Sequence, residues 1–156
     1  MAMEDLDQAL LLIAEHSDEG TFAGPADDAS IERAEQLLGH IFPPTYRRFL
    51  EQLGAGDIWG EEFYGIVDDD PEVPLVPNAV GLTLAERKEG SLPNHLLPIY
   101  DLGDGTIFGL DFSASATDEA PVVSWHADPQ AGTEIEASDF GSFLLQVLTS
   151  ATRRLR

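Results

Sequence analysis

Apolar residues fall at helical spacing at both ends of this chain and alternate in its middle. Over residues 4–16, Leu6, Leu10 and Ile13 share one helical face and the acids lie largely on the other. Residues 17–28 are polar and broken by Gly20, Gly24 and Pro25, so they read as a loop. A second helix follows from Ile31, capped by Asp28 or Ser30 and stopped by Gly39. A third opens at Pro43-Pro44, where a missing N–H is tolerated. In it Tyr46, Phe49, Leu50 and Leu53 recur at i, i+3, i+4 and i+7, which makes them core.

From Ile58 the period changes to two. Residues 61–67 predict a strand whose Phe63 and Tyr64 divide between its faces, so at least one of them is core. Asp68-Asp69-Asp70-Pro71 breaks it, residues 71–77 read as extended, and a short helix is expected over 78–88. Strands follow over 97–102, 106–112 and 122–126, the last with Trp125 as sheet packing. Gly103-Asp104-Gly105 joins the first two as a hairpin. A final helix puts Phe140, Phe143, Leu144, Val147, Leu148 and Ala151 on one face, with Ser138 as N-cap and Asp139 beside the positive end of its dipole. Helices on both sides of a strand block give an α+β single domain. Its sheet is expected to be largely antiparallel, with about five or six short strands packed by N-terminal and C-terminal helices.

Charge narrows the function. The 156 residues hold 29 Asp and Glu against 8 Lys and Arg, a formal net charge of -21. Nucleic acid is excluded as a partner, because binding it requires cations that displace phosphate counterions. Here Arg47-Arg48 and Arg87-Lys88 are isolated pairs, and Arg153, Arg154 and Arg156 complement a helix C-terminus. Such an excess of acid suits a solvated surface or the attraction of a basic partner. The chain has no cysteine, which removes disulfides, thiolate catalysis and cysteine metal sites. The apolar run at residues 10–14 is too short to span a bilayer and follows acids where a leader would be basic. A cytoplasmic protein without membrane association is therefore expected.

Catalytic patterns fail one by one. Gly54-Ala55-Gly56 has Trp59 where a dinucleotide loop needs its third glycine, and it follows a helix rather than a strand. Asp104-Gly105 with Asp111 matches a calcium loop only in part, since Tyr100 and Leu102 stand at the first ligand positions. His16, His40, His95 and His126 are scattered, and no serine lies in a G-x-S-x-G turn. The expectation is a protein without enzymatic activity, cofactor or metal.

Taken in order, Ile31, Ala34-Glu35, Leu38-Gly39, Pro43, Tyr46, Phe49-Leu50, Gly54-x-Gly56, Leu97-Pro98-Ile99, Gly103-Asp104-Gly105, Leu110-Asp111, Pro121-Val122, Ser138-Asp139-Phe140 and Phe143-Leu144 resemble the SUKH (SMI/KNR-like) superfamily. That superfamily includes bacterial immunity proteins and a fungal regulator of cell-wall synthesis. The resemblance covers the SUKH-like domain, taken as residues 28–150, and leaves outside it residues 1–27, an N-terminal helix and acidic loop, and 151–156, the basic end of the last helix. It implies no catalytic set. It does imply a cytoplasmic immunity protein, monomeric or weakly dimeric, that binds a cognate toxin domain of the basic nuclease or deaminase kind. An acidic surface would compete with nucleic acid for such a toxin's groove. The toxin-binding candidates are Asp57, Glu61, Glu62, Asp68, Asp69, Asp70 and Glu72, with Trp59 and Phe63 or Tyr64 as aromatic anchors. The alternative is a non-enzymatic intracellular scaffold or regulatory module that binds a resident partner.

Overall fold

In the computed structural model, which describes residues 2–67, 78–113, 118–128, 130 and 132–155, the helices bracket the strands as the apolar spacing requires. The order is α1 (Ala2–Glu15), β1 (Gly20–Phe22), α2 (Asp28–Leu38), α3 (Pro44–Gln52), β2 (Gly56–Ile58), β3 (Glu61–Phe63), α4 (Ala79–Lys88), β4 (Leu96–Asp101), β5 (Thr106–Asp111), β6 (Val122–His126), β7 (Ile135–Ala137) and α5 (Phe140–Arg154). The fold is α+β. Its seven described strands form two antiparallel sheets, β1-β2-β3 and β4-β5-β6-β7.

The two sheets meet at a bulge. Pairing between β4 and β5 shifts register between Pro98 and Tyr100, and the carbonyl of Ile99 there accepts the Tyr64 N–H at 2.9 Å. One extra residue in β4 thus turns a backbone acceptor toward the chain leaving β3. That contact sets the hairpin of β2 and β3 against the larger sheet.

The core is aromatic at its centre. Tyr46, Phe49, Phe63 and Phe140 are almost wholly buried, with the Tyr46 and Phe49 rings 5.0 and 5.1 Å from that of Phe140. The Tyr46 hydroxyl donates to the Tyr64 carbonyl at 2.8 Å, so the one polar atom of that stripe is satisfied. Helix α1 buries Leu6, Ala9 and Ile13, packing chiefly along α5, and the Ser142 hydroxyl donates to Asp5 across that contact at 2.9 Å. The first helix is therefore integral to the core.

Several elements depart from the sequence expectation. The loop expected at 17–28 contains β1, and neither β2 nor β7 was anticipated. All three are three-residue strands, too short to show a period of two, and exist because a neighbour pairs with them. Conversely, the strand expected over 61–67 ends at Phe63, and Gly65 makes only an isolated parallel bridge to Asn78. The N-caps also move by one residue. Asp27 caps α2 by accepting the Ser30 N–H at 2.8 Å, and Asp139 rather than Ser138 caps α5 by accepting the Ser142 N–H at 2.7 Å. In both cases the capping residue is extended, and its carboxylate reaches the free N–H three residues on. Trp125 packs on Leu92, Leu96 and Val123, as expected of a sheet residue.

Candidate functional site

Ile58 pairs with Glu61, which leaves only Trp59 and Gly60 to turn the chain between β2 and β3. Both have positive φ, 55° and 80°, the conformation of a type I′ turn. Such turns ordinarily hold Asn-Gly, and a side chain as large as tryptophan in the left-handed region costs about 1–2 kcal/mol. Trp59 is the only described non-glycine residue at positive φ. Its ring meets His16 edge-on at 5.2 Å and borders a cavity of about 310 Å³ with Leu12, Thr152 and Leu155. The indole Nε1 is buried with no acceptor. A strained, half-buried aromatic at a hairpin tip marks a place where local stability has been given up.

The same turn decides how the flanking acids stand. A two-residue hairpin loop closes on a hydrogen-bonded pair, here Ile58 and Glu61, so the next pair, Asp57 and Glu62, is of the non-hydrogen-bonded kind in which side chains lie closest. Like charges directly opposite one another destabilise a sheet. The Glu62 carboxyl shows this: burial raises its pKa and the adjacent Asp57 raises it further. Burial also pushes the Tyr64 hydroxyl up to about 12, with Asp101 and Glu62 adding to the effect. Asp57, Glu62 and Asp101 thus share one negative field. Asp101 carries no local signal in the sequence, because long-range contacts, the Tyr64–Ile99 hydrogen bond and the bond from the Tyr100 hydroxyl to Glu61, bring β4 to this hairpin.

A pH dependence follows. Because Glu62 titrates higher in the folded chain than in the unfolded one, the folded state holds more protons between the two values, and stability falls as pH rises through that window. Glu62→Gln is expected to flatten this decline in denaturation midpoints taken from about pH 4 to 6. A residual slope should remain from Glu119, whose carboxyl is also raised by burial. An unchanged slope in the variant would remove Glu62 as its source.

The other candidates are divided. Glu61 is 7% exposed and accepts hydrogen bonds from the Tyr100 hydroxyl and from Arg154, so its carboxylate ties β3 to β4 and to the end of α5. Alternation puts it on the inner face of β3, away from Asp57 and Glu62. Arg154, expected to complement the helix dipole, therefore also pairs with a specific acid. Glu61→Ala is expected to cost about 2 kcal/mol in chemical denaturation, mostly from the Tyr100 hydroxyl left unpaired, since the Arg154 side chain is largely in water. Phe63 and Tyr64 are both buried, so neither offers a free ring to a partner. Asp68, Asp69, Asp70 and Glu72, and the extended stretch expected over 71–77, lie outside the described residues.

Several arginines are committed elsewhere. Arg47 pairs with Asp28, Glu35 and Glu51, Arg48 with Asp7, and Arg154 with Glu61, while Arg87 donates to the carbonyls of Leu38 and Asn94. None of these interactions neutralises Asp57 or Glu62. Among the described residues no group of three His, Cys, Asp or Glu side chains converges as metal ligands would, and no helix is long and apolar enough to cross a membrane. The sequence model of the family described as SMI1-KNR4 cell-wall matches residues 4–149, from α1 into α5. With nearly the whole fold inside that match, the chain belongs to the SUKH family of SMI1-KNR4-like proteins.

Proposed function

We propose that this protein is a bacterial immunity protein that neutralises a cognate toxin domain by direct binding through an acidic surface, without catalysis. The observation that carries this reading is the juxtaposition of Asp57 and Glu62, a like-charge pair kept side by side on an outward sheet face in a chain of net charge -21. A cation recovers the cost of that arrangement, and a toxin that grips phosphates presents cations. Family membership supports the reading. Asp101 extends the face, and the Asp68, Asp69, Asp70 and Glu72 group would add to it. The protein would act in the cytoplasm as a monomer or weak dimer.

The test is to co-express the protein with the product of the neighbouring gene in a cell that this product kills. Rescue together with a salt-sensitive complex supports the proposal. No rescue favours a scaffold that serves a resident partner, and rescue without a complex points to indirect protection. Trp59 supplies a second expectation, because a half-exposed aromatic at the tip of the acidic hairpin has the chemistry of an anchor. Trp59→Ala should speed dissociation of the complex about tenfold and leave association almost unchanged. An unaltered off-rate in surface-binding kinetics would confine Trp59 to holding the hairpin.

A further inference from the structure

We infer that the outer edge of β1 is a docking site for an extended segment of a basic partner, in which apolar and basic residues alternate. This deepens the acidic-surface reading and rests on it, since it uses the same Asp57–Glu62 row. Strand β1 lies at the end of its sheet, and among the described residues only β2 pairs with it. The Ala23 N–H donates to the Ala55 carbonyl at 2.8 Å just beyond the strand. Hydrogen-bonded pairs alternate along an antiparallel ladder, so Thr21 bonds Asp57, and the N–H and C=O groups of Gly20 and Phe22 point away from the sheet. An extended chain laid along this edge would pair with those groups.

The two faces of the edge differ in chemistry. On the inner side an apolar groove of about 520 Å³ runs between β1, α1 and the end of α3, lined by Leu10, Ile13, Ala14, Phe22 and Leu53 among others. On the outer side the cross-strand row is Thr21, Asp57 and Glu62, with Asp18 and Glu19 exposed immediately before the strand. A fourth strand has side chains that alternate in direction. Those pointing inward would fill the groove, and those pointing outward would stand beside Thr21, from which a long cationic side chain reaches Asp57 one strand further on and Asp18 and Glu19 just before the strand. Charge complementarity selects lysine or arginine for the outward positions, and the groove selects aliphatic side chains for the inward ones. Three residues is a short edge, but groove and charge extend its contacts beyond the ladder.

The probe is a capped heptapeptide of alternating lysine and valine, titrated into the full-length ¹⁵N-labelled protein, with a peptide of the same composition but blocked order as control. Amide exchange at Gly20 and Phe22 is expected to slow at least tenfold on saturation, while that of Thr21, already bonded to β2, stays as it was. Asp57→Lys combined with Glu62→Lys should weaken the alternating peptide at least tenfold, and the blocked peptide should bind less tightly than the alternating one. No binding at millimolar peptide, or equal binding of the two peptides without slowed exchange at Gly20 and Phe22, overturns the inference. A loss of affinity in the lysine variant without slowed exchange also overturns the edge, but leaves the acidic surface standing. Slowed exchange with affinity indifferent to Asp57 and Glu62 overturns the basic identity of the partner, and the acidic-surface reading with it.

Discussion

Replacing both acids of the hairpin, Asp57→Lys with Glu62→Lys, is expected to weaken the proposed complex with a basic toxin roughly 100-fold, about tenfold of it in the association rate at low salt. The folded state should scarcely notice. Two lysines opposite one another repel as two carboxylates do, so one destabilising pair replaces another at the same register. The single variant Glu62→Lys separates the two consequences further. It places a cation opposite Asp57, relieves the repulsion that adds to burial in raising the Glu62 pKa, and should stabilise the protein by about 0.5 kcal/mol. A protein that becomes more stable while it protects less well has been using the strained pair for binding. The measurement is stopped-flow association over a series of salt concentrations beside urea denaturation of each variant. If association and its salt dependence match the parent while the fold is intact, the Asp57–Glu62 face is not where the partner lands.

The division between what the chain announced and what it concealed has a physical basis. Helices α3 and α5 were legible because their apolar stripes are buried against each other. Tyr46, Phe49, Phe140 and Phe143 repeat at the spacing of the face they occupy. Strands β4, β5 and β6 are five or six residues long, enough for alternation or turn signals to register. The short strands β1, β2 and β7 owe their existence to partners far along the chain, which no local pattern reports. The same limit governed the site. Asp57 and Trp59 are legible as an acid and an aromatic close together in the sequence, but the inward turn of Glu61 depends on the hairpin register, and the arrival of Asp101 depends on a bulge in β4. Composition supports the proposal of a basic partner, and only pairing between strands shows which acids stand together.

Gly54 and Gly56, which follow a helix in the sequence, and Gly65, which falls within the strand expected over 61–67, prove to be where backbones touch, and the largest stability loss is expected at one of them. A Cβ on Gly65 would lie 1.9 Å from the Gly54 carbonyl oxygen and 2.9 Å from Cδ2 of Leu50. The first of these atoms is backbone and cannot swing aside. That carbonyl also accepts the Ile66 N–H at 3.0 Å, and the Gly65 carbonyl accepts the Ala79 N–H at 2.8 Å, so displacement of the Gly65 segment strains the link to α4. Gly65→Ala should therefore cost about 3 kcal/mol or more, lowering Tm by roughly 6–12 °C for a chain of this size. Gly60→Ala is the control. Its Cβ would meet nothing within 4 Å, and the only penalty is a positive φ of 80°, about 1 kcal/mol. A Gly65→Ala protein melting within about 2 °C of the parent would mean that the crossing relaxes at little cost. If the loss is as large as expected, the acidic hairpin is held by a junction of bare backbone, and the proposed protection in the cell should fall in Gly65→Ala through lost abundance while Asp57 and Glu62 remain intact.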